Sequence, residues 1–382
     1  VSWTQQYPAI IPREFVDKSS KNDFLENTNI QVKYITNYNK PSTWRETANY
    51  IISLSPKVVV FQWSIAIQGL PLGRIISRLR KVGIEVIVDL HFVVQKENSA
   101  IDRVFTKFGI SKASHYIVHA LKTFEELKVL FPAKKFNLCE DGSRTATEQA
   151  VIKLYHPIYD IFKPNPEFDV EQFKKDTNLK KHVFLFFGFI RKYKGLHYTI
   201  EAFKKVTEKR DDVSLLICGE SFWNTLDNNK LSTKVKNFLF KIAKSIFLRN
   251  SDNEKDYNPL ALIDKLGLKD STAVFNTFIA NEEVHKYFQT SDCVVLFYET
   301  ATPSGIESLS YNFNLPILAT KVGHFPETIK DGVNGYLAEA TDIDSMAEQM
   351  LKFIDKPLPS ENVAKIAQHL SWSNYAKAIL NN

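Results

Sequence analysis

Cysteine is scarce in this chain: Cys139, Cys218 and Cys293 are all there is in 382 residues. The number is odd and the spacing wide, which excludes a disulfide frame and a thiolate metal site. Two of the three sit in strand-like apolar runs, LLICGE and SDCVVLFY, and read as small buried thiols in a reducing compartment. Long apolar runs are missing too. None reaches the roughly 18 residues of a spanning helix, and no charged-then-apolar leader opens the chain. The expectation is a cytoplasmic protein, held to a membrane at most by its surface. Nor does one sign of charge dominate. Against 43 acidic residues stand 49 basic ones, a net charge of +6, too little for the broad basic footprint of a nucleic-acid binder. No nucleic-acid partner is expected.

What is present is a long alternation of strand and helix signals. A chain this size, 44% hydrophobic, exceeds what one core usually serves, so two domains are expected. The first part runs IQVKYIT, TWRETANYIISL, KVVVFQW, PLGRIISRLRKVG, IEVIVDLH, a helix near 100–113, and HYIVHA. Thr43 with Glu46 and Thr123 with Glu126 have capping-box spacing at helix starts. Such a βαβ series implies a parallel sheet. Prolines and charge interrupt the pattern in KPNPEFDVEQFKKDTNLKK, which reads as the linker. A second alternation follows: HVFLFFGFI, a helix through 198–205, VSLLICGE, TAVFNTFI, a helix near 282–289, CVVLFY, a helix from Gly305, and LPILAT. The division is into residues 1–165, residues 166–365, and a final helix within 366–382 whose Trp372 and Tyr375 need a surface to bury against. The fold class is α/β with two doubly wound parallel sheets.

Two loops carry candidate chemistry. In FFGFIRKYKG a strand delivers Gly188, and Arg191 and Lys194 follow just before a helix. Close backbone approach, cations and a positive helix end are what a diphosphate requires; a tight turn with two solvated cations is the plainer reading. Gly219 and Glu220, which close the strand VSLLICGE, belong to the same candidate donor-binding set. In the second loop Glu299 and Glu307 flank Ala301, Thr302, Pro303, Ser304 and Gly305, where a helix should begin. A carboxylate there accepts from ribose hydroxyls, and Thr302 and Ser304 face a sugar or phosphate. The plainer alternative makes Glu307 a first-turn carboxylate favoured by the helix dipole. His91 ends the strand IEVIVDLH at the edge of the expected cleft, while His119 and His156 also lie at strand ends, as cleft-lining or structural groups. Asp342-Ile-Asp344 has the spacing of a metal-binding carboxylate pair, but its place ahead of SMAEQMLKFI reads as a helix cap. No metal and no other cofactor is expected.

The Gly188–Gly195 stretch, the Glu-x7-Glu pair and LPILATKVGHFPETIKDGVNGYL together resemble the retaining glycosyltransferases of family 4, which have the GT-B fold. SWSNYAKAIL is similar to that family's closing helix. The resemblance implies two Rossmann-like domains facing a cleft, an acceptor domain first and a donor domain second, with the closing helix crossing back to the first. It further implies that Arg191 and Lys194 bind the donor diphosphate and Glu307 the ribose, that Glu299 and the following loop hold the transferred sugar, and that His91 approaches that sugar. Glu299 and His91 are the candidate catalytic residues. Departures are visible. The family's Glu-Gly-Phe-Gly is replaced by Glu299-Thr-Ala-Thr, and Phe189 stands where the family commonly has its arginine. Val1 opens directly into what looks like the family's second strand region, so the first strand and its Gly-rich loop are not seen.

The activity so implied is transfer of a sugar from a nucleotide sugar to a saccharide or lipid-linked acceptor, with retention and without a metal, in cell-surface glycan assembly. Rival readings are a nucleotide-sugar epimerase, a sugar phosphorylase, and a nucleotide-sugar-binding module without turnover. One further segment, residues 234–249 (KVKNFLFKIAKSIFLR), has five basic residues, no acid and helical apolar spacing. It reads either as a helix docked on the protein body or as a contact with an anionic membrane surface.

Overall fold

A computed structural model describes residues 1–6, 24–26, 28–93, 100–221, 257–303 and 305–380. Residues 234–249 and Ser304 lie outside the described residues. A short parallel pair comes first, β1 (Ser2–Gln5) beside β2 (Tyr34–Asn37); β1 lies ahead of IQVKYIT, the first strand that the sequence pattern predicts. There follow α1 (Pro41–Ser53), β3 (Val58–Trp63), α2 (Gly69–Lys81), β4 (Glu85–Leu90), α3 (Ala100–Ile110), β5 (His115–Val118), α4 (Leu121–Leu130), β6 (Phe136–Cys139) and β7 (Gln149–Lys153). The last five of these strands form a parallel sheet in the order β3-β4-β5-β7-β6.

The second unit runs α5 (Val170–Asp176), β8 (His182–Phe187), α6 (Leu196–Thr207), β9 (Val213–Cys218), α7 (Ala261–Lys265), β10 (Thr272–Phe275), α8 (Val284–Thr290), β11 (Cys293–Leu296), α9 (Gly305–Asn312), β12 (Ile317–Thr320), α10 (Phe325–Thr328), β13 (Gly335–Ala338) and α11 (Ile343–Asp355). Its parallel sheet has the order β10-β9-β8-β11-β12-β13. Numbered from its own first strand this is 3-2-1-4-5-6, the dinucleotide-binding arrangement, whose order reverses between β8 and β11. Connections leave these two strands in opposite directions, and a crevice opens at their C-terminal ends.

Continuous apolar runs make these strands because both faces of the sheet are covered. Phe184, Phe186, Leu215 and Ile217 pack against Phe203, Met346 and Met350 of α6 and α11. The alternate residues Val183, Leu185 and Leu216 pack against Phe288 and Leu309 of α8 and α9. In the first sheet Val86 and Val88 face Leu72, Ile75 and Ile76. The opposite face, with Ile87, Ile117 and Ile152, is closed by Ala378, Tyr375 and Ile379. Those three belong to the last helix, α13 (Trp372–Leu380), which follows α12 (Ser360–His369) and returns to the first sheet. Tyr375 is thereby packed. Trp372 is not; it stays 49% exposed, contrary to expectation.

Neither expected capping box forms. Pro41 sets the first turn of α1 and Lys40 is its cap, so Thr43 falls inside the helix, where its hydroxyl donates to Lys40 O and accepts from Asn37 N. Thr123 is likewise inside α4, whose cap is Ala120. The first amide of α4, Leu121 N, donates instead to the Glu327 carboxylate of the other domain at 3.1 Å. Asp342 does cap α11, accepting from Ser345 N at 3.0 Å. All three cysteines are free thiols, with Cys218 and Cys293 buried. Among the described residues no helix is long and apolar enough to cross a membrane.

Candidate functional site

The crevice at the β8/β11 reversal is built by glycines that bring backbones together. Gly188, directly after β8, has φ 96° and Gly219, directly after β9, has φ 146°. A Cβ on Gly219 would stand 2.1 Å from Gly188 O, so Gly219 admits no side chain without separating the loops, and the left-handed backbone of Gly188 favours glycine there. The first loop is pinned further by Ile190 N donating to Glu220 O at 3.0 Å; Glu220 therefore acts through its carbonyl. A short turn, Lys192–Lys194, leads through Gly195 into α6.

Lys194 is the most informative side chain here. It is 9% exposed, and its Nζ would lie 3.0 Å from a Cβ on Gly188, with Ile306 of α9 at 3.3 Å from the same point. The amine thus occupies the floor of the crevice, beside the first turn of a helix that carries no opposing charge there except Glu307. Among the described residues no acceptor stands within hydrogen-bonding distance of it. Burial, with the charge of Arg191, brings its pKa down to about 8. Arg191 lies over the Tyr193 ring at 5.6 Å.

The second loop is tied to the first, because Glu299 N donates to Tyr193 O at 2.8 Å. The Glu299 carboxylate lies 3.8 Å from His197 Nε2 at the start of α6. Thr302 is exposed at the loop tip, and Gly305 opens α9 with Tyr159 against it, since a Cβ there would stand 2.8 Å from the Tyr159 hydroxyl. Glu307 is buried. One carboxylate oxygen accepts from the Tyr311 hydroxyl at 3.1 Å and the other pairs with His324 Nε2 at 2.6 Å. A carboxylate offers about four lone-pair positions, so two remain for a ligand, but the group is held from within. The sequence singles out neither His324 nor Tyr311. The one available signal is VGHFPE, where a histidine follows the glycine of a tight turn.

On the facing domain, His91 follows β4, His119 follows β5 and His156 follows β7. Their ligand atoms all lie within 4.8 Å of one another. The rings stack, His119 on His156 at 4.1 Å with 17° between planes and His91 on His156 at 5.1 Å and 17°. In stacked imidazoles the in-plane lone pairs run side by side instead of converging on an ion. Both nitrogens of His119 are also engaged, with Leu154 O at 2.6 Å and Asp89 Oδ1 at 2.7 Å. Asp89 is buried, which works against its ionisation, but the bond and charge of His119, the charge of His91 and the Tyr375 bond together outweigh this and hold its pKa at about 2. Burial, and then His119, push His156 down to about 3. His119, His156, Glu307 and His324 line one small cavity between the domains. The structure therefore brings His91's neighbours and Glu307 to a common junction, while Gly188, Lys194 and Glu299 gather at the strand ends of the second sheet. A cavity of about 900 Å³ lies elsewhere. It lies at the N-terminal edges of β5 and β7, where Arg80, Lys81 and Lys112 stand near helix C-termini that favour positive charge.

The profile of the family Glycosyl transferases group 1 matches residues 167–370. Spore coat protein SA of Bacillus subtilis is 21% identical over 244 residues, 63% of this chain and 57% of that protein. An uncharacterized glycosyltransferase of Methanocaldococcus jannaschii is 24% identical over 289 residues, 71% of this chain and 63% of that protein. The chain thus spans less than two thirds of the length of these curated relatives. Among solved structures, Anabaena HepE in complex with UDP and glucose superposes with a TM-score of 0.59 at 15% identity, over 92% of this chain and 83% of that one. A glycosyltransferase from Rickettsia africae gives 0.59 at 12% identity, over 92% and 85%. Two parallel-sheet domains of this kind, with these neighbours, make the fold GT-B.

Proposed function

The chain belongs to the group 1 glycosyl transferases, and from that premise we propose that it moves a sugar, with retention, from a nucleotide-sugar donor to a saccharide or lipid-linked acceptor during cell-surface glycan assembly. The observation that carries this reading is the Lys194 amine, a buried cation lacking an acceptor among the described residues at the reversal of the second sheet. In the proposed complex the donor diphosphate lies over Gly188, where no Cβ obstructs it, against Lys194, Arg191 and the N-terminal turn of α9. Glu307 takes the ribose through its free lone pairs, and Glu299 with the loop to Gly305, including Thr302 and Ser304, takes the sugar. His91 meets that sugar from the facing domain.

The acceptor hydroxyl then attacks the anomeric carbon on the face the nucleotide leaves. The C–O bond to the diphosphate breaks, and the leaving phosphate oxygen takes the acceptor's proton. Cations fixed where this negative charge develops stabilise the transition state without having to reorganise. No side chain is required as nucleophile, and no metal is required for charge neutralisation. The complexes of HepE with UDP and with UDP-glucose support uridine nucleotides as the first donors to try. Peripheral contact with an anionic membrane surface through residues 234–249 is part of the same proposal.

A thermal-shift screen of nucleoside diphosphates and their sugars tests the reading, since a ligand that binds only the folded state raises its melting temperature. Stabilisation by one nucleotide family, lost in Lys194→Ala, is expected; no stabilisation by any of them would overturn it. A binding module without turnover is the second reading, favoured by the inward bonding of Glu307. Nucleotide release that does not respond to any saccharide or lipid-linked acceptor would favour it.

A further inference from the structure

His91 is held by a neighbour that the strand pattern does not reveal. Gln62, the penultimate residue of β3, is exposed. Its Nε2 donates to Asp89 Oδ2 at 2.9 Å, and its Oε1 lies 2.7 Å from His91 Nε2. The orientation of this amide follows from chemistry. A carboxylate only accepts, so the NH₂ must face Asp89, and turning the amide over would set oxygen against oxygen. Asp89 is in turn fixed from two other sides, by His119 and by the Tyr375 hydroxyl of α13 at 2.7 Å. With the amide so oriented, Oε1 offers His91 only an acceptor. His91 Nε2 therefore carries the proton, and in the neutral ring Nδ1 is bare.

We propose that Gln62 is a positioning residue that locks His91 in its Nε2-protonated tautomer, so that the bare Nδ1 accepts a hydrogen bond from a hydroxyl of the donor sugar. The identity of the ligand group rests on the proposed function; the state of the ring does not. A bare imidazole nitrogen suits a hydroxyl and repels a phosphate oxygen, which assigns His91 to the sugar end of the donor. Asp89, His119 and His156 surround the ring, so its protonation state is set by a packed group and not by solvent.

Nitrogen-15 NMR of protein labelled at histidine reads the tautomer directly, with His91 assigned by its loss in His91→Asn. The expected spectrum shows Nε2 protonated and Nδ1 bare. In Gln62→Leu both tautomers should appear, with a somewhat lower melting temperature because Asp89 Oδ2 also loses a donor; Gln62→Glu sets a second carboxylate beside Asp89 and should instead show His91 protonated on both nitrogens. A wild-type ring protonated at Nδ1, or unchanged shifts in Gln62→Leu, would overturn the proposal. Turnover of the donor found by thermal shift should fall about tenfold in Gln62→Leu, the scale of one hydrogen bond, with nucleoside-diphosphate affinity unchanged. If His91→Ala left turnover intact, the sugar contact would fail while the positioning by Gln62 stood.

Discussion

A lysine that gives up its hydration on folding and meets no acceptor must recover that energy from a ligand or surrender its proton. Lys194 is in this position, and burial, with the charge of Arg191, brings its pKa down to about 8, toward the second course. Replacing it with alanine should weaken nucleoside-diphosphate binding by about 1.5–3 kcal/mol, the scale of a charged hydrogen bond, as measured by calorimetry at pH 7. Unchanged affinity would remove Lys194 from the site. The pH dependence has a definite sign. The binding-competent form is the cation, so affinity should hold below pH 8 and decline as pH rises through it, and the decline should vanish in Lys194→Arg, because arginine keeps its charge. Glu307 calls for a different comparison, because its oxygens already serve Tyr311 and His324. Glu307→Gln keeps an acceptor for Tyr311 but weakens a ribose contact. It should lower affinity for a nucleoside diphosphate and leave inorganic pyrophosphate unaffected; equal losses for both would refute the ribose assignment.

At the scale of elements, what was legible in the chain was what local physics writes there. Apolar runs ending in glycine located β8 and β9, and Asp342 ahead of an amphipathic stretch located the cap of α11, whose removal in Asp342→Ala should cost about 1 kcal/mol in urea denaturation. The two candidate loops could be located for the same reason: Gly188, Lys194 and Glu299 stand at strand ends, and strand ends are visible in sequence. The capping boxes failed because spacing alone does not say where a helix starts. At α1 Pro41 decides it, and at α4 the first free amide goes to Glu327, 206 residues away. Bonds of that separation leave no local pattern. The same holds for Tyr375, whose aromatic ring predicted burial but whose hydroxyl partner, Asp89, lies on the first sheet 286 residues back. Because that acceptor is charged, Tyr375→Phe should destabilise the docking of α13 by about 1.5–3 kcal/mol, seen as faster proteolysis within residues 372–380. Cleavage at the wild-type rate would show that the ring alone seats the helix.

At the scale of the whole molecule, the two domains meet at a junction crowded with buried imidazoles, and this gives the protein a direction of pH sensitivity. His156 has an ordinary value of 6.5 lowered to about 3, first by burial and then by the nearby imidazoles; His91 is lowered for the same leading reason. A histidine kept neutral in the folded state still takes a proton when the chain unfolds. Between pH 6.5 and 3 the unfolded state therefore binds more protons, and stability must fall as pH falls, by up to about 1.4 kcal/mol per pH unit for such a group. Asp89 adds to the loss between about pH 4 and 2, where the unfolded carboxylate, at its ordinary 3.8, binds a proton that the folded one, held at about 2, does not. The stacking of His156 on His119 and His91 is unaffected by replacing its ring with another flat one, whereas its titration is abolished. Urea denaturation at pH 7.5, 6.5 and 5.5 should then show a decline in the wild-type chain that is flattened in His156→Phe. If the variant retains the wild-type slope, the acid sensitivity belongs to other groups, and the junction between the domains is not where protons act.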